Sequence, residues 1–242
     1  MKLSLVFLVV IFTLSGSAAV GQSVVITGKK INYTRPKPSS EEKKSFTINY
    51  PKIKASSPGL SRKIESAISY ERVLGLRLKD EMDEYQWLEE ADYEVGYNRR
   101  GILSISLWMS GTAAYPSGTT KFAVVSLTTG LRQNPADVFT NLSGLAAIVK
   151  KVQRKEIVTA IADIKKDKNA DEPDPERLFA ESNFKIADLK EFSVDANGVT
   201  FHYDYGFPHV LQGLQPPGEF KFSWAQLRAY IKRGGALGQF VR

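Results

Sequence analysis

The chain has 242 residues, 43% of them hydrophobic and 24% charged, a balance that permits a packed core and argues against a disordered chain. It has no cysteine, which excludes disulfides, thiolate catalysis, cysteine-ligated metals and a lipidated N-terminal cysteine. The formal net charge of +7 admits anionic polymers or membrane surfaces as partners, but acidic residues lie among the basic ones and no basic stripe with interleaved aromatics occurs, so nucleic acid is excluded as the expected partner.

Met1-Lys2, the apolar run Leu3–Leu14 and the small residues that follow have the pattern of a secretory signal peptide over residues 1–21, cleaved after Gly21 or, alternatively, after Ala19. The apolar run is short beside the ~20 residues of a spanning helix, and no second long run follows. No transmembrane segment is therefore expected after leader cleavage, and the mature chain is expected to be periplasmic or secreted. Residues 22–44 read as an N-terminal strand segment (Ser23–Thr27 and Ile31–Thr34) with a charged, proline-bearing loop from Arg35 to Lys44. Residues 45–242 read as a single α+β domain.

Phe46–Ile53 has strand character, with Pro51 marking an edge or a strand end. Ser57-Pro58 starts an amphipathic helix through Leu60, Ile64, Ile68, Leu74, Leu78, Met82 and Tyr85, with a break near Gly75. Tyr93, Val95 and Tyr97 alternate, a turn follows at Asn98–Gly101, and Leu103, Ile105, Leu107 and Met109 alternate again, which predicts a β-hairpin. A longer connector, Gly111–Thr119, leads to a third strand over Lys121–Leu127, so an antiparallel meander is predicted. Asn134-Pro135 turns into a helix. Leu145, Val149, Val152, Ile157, Ile161 and Ile164 then mark a long amphipathic helix over Leu142–Lys166 with a basic outer face. Leu189–Val194 and Val199–Tyr205 form a second hairpin, Gly218–Trp224 a last strand, and Trp224–Ile231 a closing helix. Hairpins separated by helices give the fold class: α+β, an antiparallel sheet of hairpins with two main helices packed on it.

The chemical inventory is short, with two histidines in the chain. His202 and Asp204 share one face of a predicted strand, opposite the core stripe Val199, Phe201, Tyr203 and Tyr205, and with His209 could offer metal-ligand types. Nothing in their spacing fixes distances, and no metal is assigned. Asp167, Asn169 and Asp171 imitate the opening of an EF-hand loop, but Glu172 stands at the required glycine and Leu178 at the bidentate glutamate. Neither a nucleophile elbow nor a phosphate-cradling glycine loop occurs, so no catalytic residue and no cofactor is assigned. Tyr115, Pro116, Tyr205, Phe207, Pro208 and His209 sit at strand ends or connectors, where rigid rings can meet a protein or a sugar at low entropic cost; they are the candidate binding residues.

Four segments carry a family resemblance: Thr47–Ile53 with its YPKI, Tyr93–Leu107 with an asparagine turn before Gly-Ile-Leu-Ser, Leu127–Phe139 with Thr-Gly before Asp-Val-Phe, and Gly198–Gly213 with Phe207-Pro208. In this order they resemble the extracellular domain of anti-sigma-V-type factors, which act as lysozyme receptors, a module that also precedes the catalytic domain of some peptidoglycan deacetylases. Ala113–Gly118 departs from that family's Y-x-G-G-A-H, and His209 stands where the family's lysozyme-contacting loop has tyrosine, so Pro208 alone carries over from that contact. The resemblance implies the extracellular module alone: an exported, non-catalytic, envelope-associated binding module whose partner is a lysozyme-like protein or peptidoglycan. A glycan hydrolase acting through paired carboxylates and a self-assembling structural protein are the alternatives.

Overall fold

The computed structural model describes residues 22–166 and 174–242. Its frame is a five-stranded sheet in the order β1-β2-β3-β4-β5, formed by Val25–Thr34, Ser45–Lys54, Leu88–Arg99, Ile102–Thr112 and Pro116–Ser126. β1 and β2 pair antiparallel along their whole length, from Val25 opposite Lys54 to Thr34 opposite Ser45. The two segments expected before Arg35 are thus one strand, because ladder bonds to β2 carry the chain through Gly28-Lys29-Lys30. β2 and β3 pair in parallel, at Thr47 with Glu90 and Ile48 with Ala91. That contact corrects the purely antiparallel sheet expected from the hairpins. β2 is an interior strand, but Pro51 lies beyond this short contact.

The crossover from β2 to β3 holds three short helices, α1 (Pro58–Ala67), α2 (Tyr70–Leu74) and α3 (Leu78–Asp83), where one helix with a break was expected. Ser57 Oγ caps α1 by accepting from Leu60 N at 3.2 Å, and Pro58 occupies the first turn, as the sequence indicates. Ser69 recaps the chain for α2, and Gly75 ends it in the left-handed region.

β3 and β4 join through Arg100 and Gly101, both at positive φ, the conformation that matches strand twist in a two-residue hairpin. Between Val95 and Tyr97 the register slips by one residue at Gly96. This bulge reverses which face later side chains occupy, so Tyr93 packs into one core and Tyr97 into the other, although the sequence places them in one alternating row. β4 is buried on both sides: Leu103, Ile105 and Leu107 face α1 and α2, while Ile102 and Ser104 face the C-terminal layer.

After β5 come α4 (Pro135–Val138) and α5 (Leu142–Lys166), the latter with the expected bounds. Its buried face runs through Leu145, Ala146, Val149, Gln153 and Ile164, leaving Val152 exposed. A polar side chain holds the inner position because Gln153 Oε1 accepts a hydrogen bond from Phe184 N at 2.8 Å. The EF-hand-like Asp167–Asp171 lies outside the described residues. α6 (Pro175–Leu178) leads to a second, three-stranded antiparallel sheet, β6-β7-β8, from Phe192–Val194, Gly198–His202 and Glu219–Ser223, and α7 is short, Trp224–Leu227. Val194 N bonds Ser104 Oγ at 3.0 Å, tying the small sheet to the large one across a shared core that includes Ile102, Val124, Phe139, Val149, Phe192, Phe201 and Phe220. No helix among the described residues is long and apolar enough to cross a membrane.

Candidate functional site

The connector between β4 and β5 is three residues, Ala113–Tyr115, since Thr112 and Pro116 already pair. Tyr115 therefore stands at a hairpin tip and is 60% exposed. Its ring stacks on His209 with centroids 5.1 Å apart and planes 23° from parallel. His209 opens the 3-10 segment His209–Leu214, and the contact ties the hairpin to the C-terminal layer.

The candidate binding residues divide in two. Tyr115, Pro116, Pro208 and His209 are exposed. Tyr205 and Phe207 are buried and pack with Phe179 and Ile164 against the second half of α5. Tyr205 O–H donates to Glu156 Oε2 at 2.7 Å, and burial followed by that carboxyl raises its pKa. Phe207 N donates to Gln215 Oε1 at 3.1 Å. These two aromatics are corrected from rim to core: sequence shows a strand end but not the helix that covers it.

Next to the stacked pair lies a polar cleft of about 550 Å³. One wall is β5 from Gly118 to Phe122; the other is built from Glu191, His202–Asp204, Gln212, Gln215 and Glu219. His202 lies flat on Phe122, with ring centroids 3.5 Å apart and planes 7° from parallel. Its Nε2 shares a 2.8 Å hydrogen bond with Ser193 Oγ. Burial pushes its pKa down to about 4, with Glu219 opposing and Lys221 adding to the shift, so the imidazole is neutral at pH 7. Glu191 also lines the cleft, and its Oε2 is shielded from solvent with no hydrogen-bond partner among the described residues.

Sequence reasoning found no serine directed at a histidine; Ser193 and His202 meet because the register of β6 on β7 sets Ser193 opposite Thr200, one pleat from His202. No carboxyl hydrogen-bonds this imidazole among the described residues, so the third member of a hydrolase triad is not in place. His202, Asp204 and His209 do not converge: His202 lies on Phe122, His209 on Tyr115, and Asp204 Oδ1 accepts from Gly206 N at 2.8 Å. Among the described residues no three His, Asp or Glu side chains form a group suited to a metal ion.

No family model and no curated protein matches the chain. Solved structures of similar fold do exist. A DUF3298 family protein from Pseudomonas aeruginosa PAO1 superposes with a TM-score of 0.59 at 14% identity, covering 87% of this chain and 95% of its own. A second DUF3298 family member, from Bacteroides fragilis, gives a TM-score of 0.54 at 15% identity, covering 90% and 97%. This chain therefore has the α+β fold of a domain of unknown function, over nearly the full length of both neighbours.

Proposed function

We propose that this chain is an exported, non-catalytic binding module whose polar cleft receives a ligand rich in hydroxyl and amide groups, of the kind a cell-wall glycan presents. The observation that carries the reading is the cleft's lining, in which Asp204, Glu219 and the amides of Gln212 and Gln215 stand beside a neutral imidazole. Sugar hydroxyls and acetamido N–H groups are donors that such acceptors take, and a fixed array of this kind gives orientation more than bulk affinity. Export is supported by the N-terminal apolar run and the small residues after it.

A second reading, a lysozyme-like protein partner, is favoured by the exposed Tyr115, Pro208 and His209 on one rim and by the resemblance to receptor domains. The anti-sigma context belongs to that reading. Calorimetric titration with soluble muropeptides and, separately, with lysozyme tests both. Saturable heat with muropeptides, weakened about tenfold by Gln212→Ala, is expected for the cleft. Lysozyme binding lost in Tyr115→Ala favours the second reading, and silence from both ligands rejects both. Muropeptide masses are expected to stay unchanged on incubation; cleavage would move the assignment to a hydrolase.

A further inference from the structure

A separate groove of about 890 Å³ runs between α1, α2 and the loop after β5. Arg62 and Lys63 come to it from α1, Arg72 from α2 and Arg132 from the loop, and neither an acidic nor an aromatic side chain lines it. The side chains of Arg62, Lys63 and Arg72 make no ion pair with any described residue. The nearby Glu65 is turned away, accepting from Ile53 N at 3.0 Å and pairing with Lys52 at 3.4 Å. Arg132 is held in place by donating from Nη2 to Phe122 O at 2.9 Å.

The groove is built rather than incidental. Gly130 has φ +73°, and a Cβ there would stand 2.7 Å from Lys63 Cβ, so only glycine lets the loop approach α1 this closely. Four cations gathered from three elements with no neutralising acid repel one another, and an anion spanning them relieves that repulsion.

We infer that this groove binds a chain of phosphate groups. Guanidinium forks arriving from different elements suit a tetrahedral phosphate, which accepts hydrogen bonds on several oxygens at once, better than a planar carboxylate, which is filled by one fork. The absence of an aromatic platform means that nucleic-acid bases would add nothing to the phosphates. This site stands independently of the cleft, sharing no lining residue with it.

The test is calorimetric titration of the full chain with sodium tripolyphosphate at low salt. Saturable binding is expected, weakening about tenfold or more when salt rises from about 20 mM to about 200 mM. Arg62→Glu with Arg72→Glu is expected to abolish it, and the milder Arg62→Gln with Arg72→Gln to weaken it at an unchanged melting temperature. Lys151→Glu with Lys155→Glu, on the basic face of α5, is expected to leave it intact. Absence of saturable binding, an equal loss in the α5 variant, or tighter binding per phosphate to an oligothymidylate would each overturn the inference.

Discussion

Arg35 and Glu81 sit inside the protein, with Arg35 only 2% exposed. Arg35 donates to the carbonyls of Glu81, Lys43 and Leu88, lies 4.5 Å above the Phe46 ring and is 3.7 Å from Glu81 Oε2. Glu81 Oε2 in turn accepts from the backbone N–H groups of Trp87 and Leu88. Truncating one partner strands the other without water, so Arg35→Ala is expected to cost about 3–5 kcal/mol in urea unfolding. Arg35→Ala with Glu81→Ala is expected to cost clearly less than the sum of the two single changes. The sequence places Arg35 in a charged loop, and nothing local reveals that three elements close over it. His202 gives a second expectation at this scale. Its folded pKa of about 4 lies below the ordinary 6.5, so the unfolded chain takes up a proton that the folded one refuses. The associated stability is complete above pH 6.5 and is lost as pH falls towards 4, up to about 3 kcal/mol in all. Unfolding measured across this range is expected to show a pH slope that His202→Phe flattens.

At the scale of elements, periodicity was most informative where one face decides the outcome. The meander and the span Leu142–Lys166 were legible because alternation and the 3.6-residue stripe persist over many residues. Where one residue changes the phase, the pattern misleads. Gly96 moves Tyr97 to the other core, and Gln153 replaces Val152 on the inner face of α5 because it caps Phe184 N. Deleting Gly96 leaves Val95 opposite Ile105 and Tyr97 opposite Ser104 in unbroken alternation, so both tyrosines are expected to keep their cores, and a retained near-ultraviolet circular dichroism spectrum is the expected readout. Gly218 is a sterically strict position, with φ +64° and a would-be Cβ 2.0 Å from Tyr203 O. Gly218→Ala is therefore expected to destabilise the chain by more than about 1 kcal/mol in urea unfolding, an effect no surface Gly→Ala change would match.

At the scale of the whole molecule, the cleft exists only because β5 of the large sheet meets the wall carried by β7, β8 and the segment between them. Its residues come from Gly118–Phe122 and from Glu191–Glu219, and the turn-length links that make hairpins predictable say nothing about which distant segments face each other. The strand-end positions of Tyr115 and His209 are legible in the sequence; that Glu191, His202 and Gln212 line one cleft is not, because nothing local sets them side by side. Backbone amide shifts during titration of the labelled chain with soluble muropeptides probe the ligand-receiving cleft most directly. Saturable changes confined to Gly118–Phe122 and His202–Glu219, abolished by Thr120→Arg, are the expected result. Changes centred elsewhere, or a response that Thr120→Arg leaves untouched, would contradict a cleft-borne binding function.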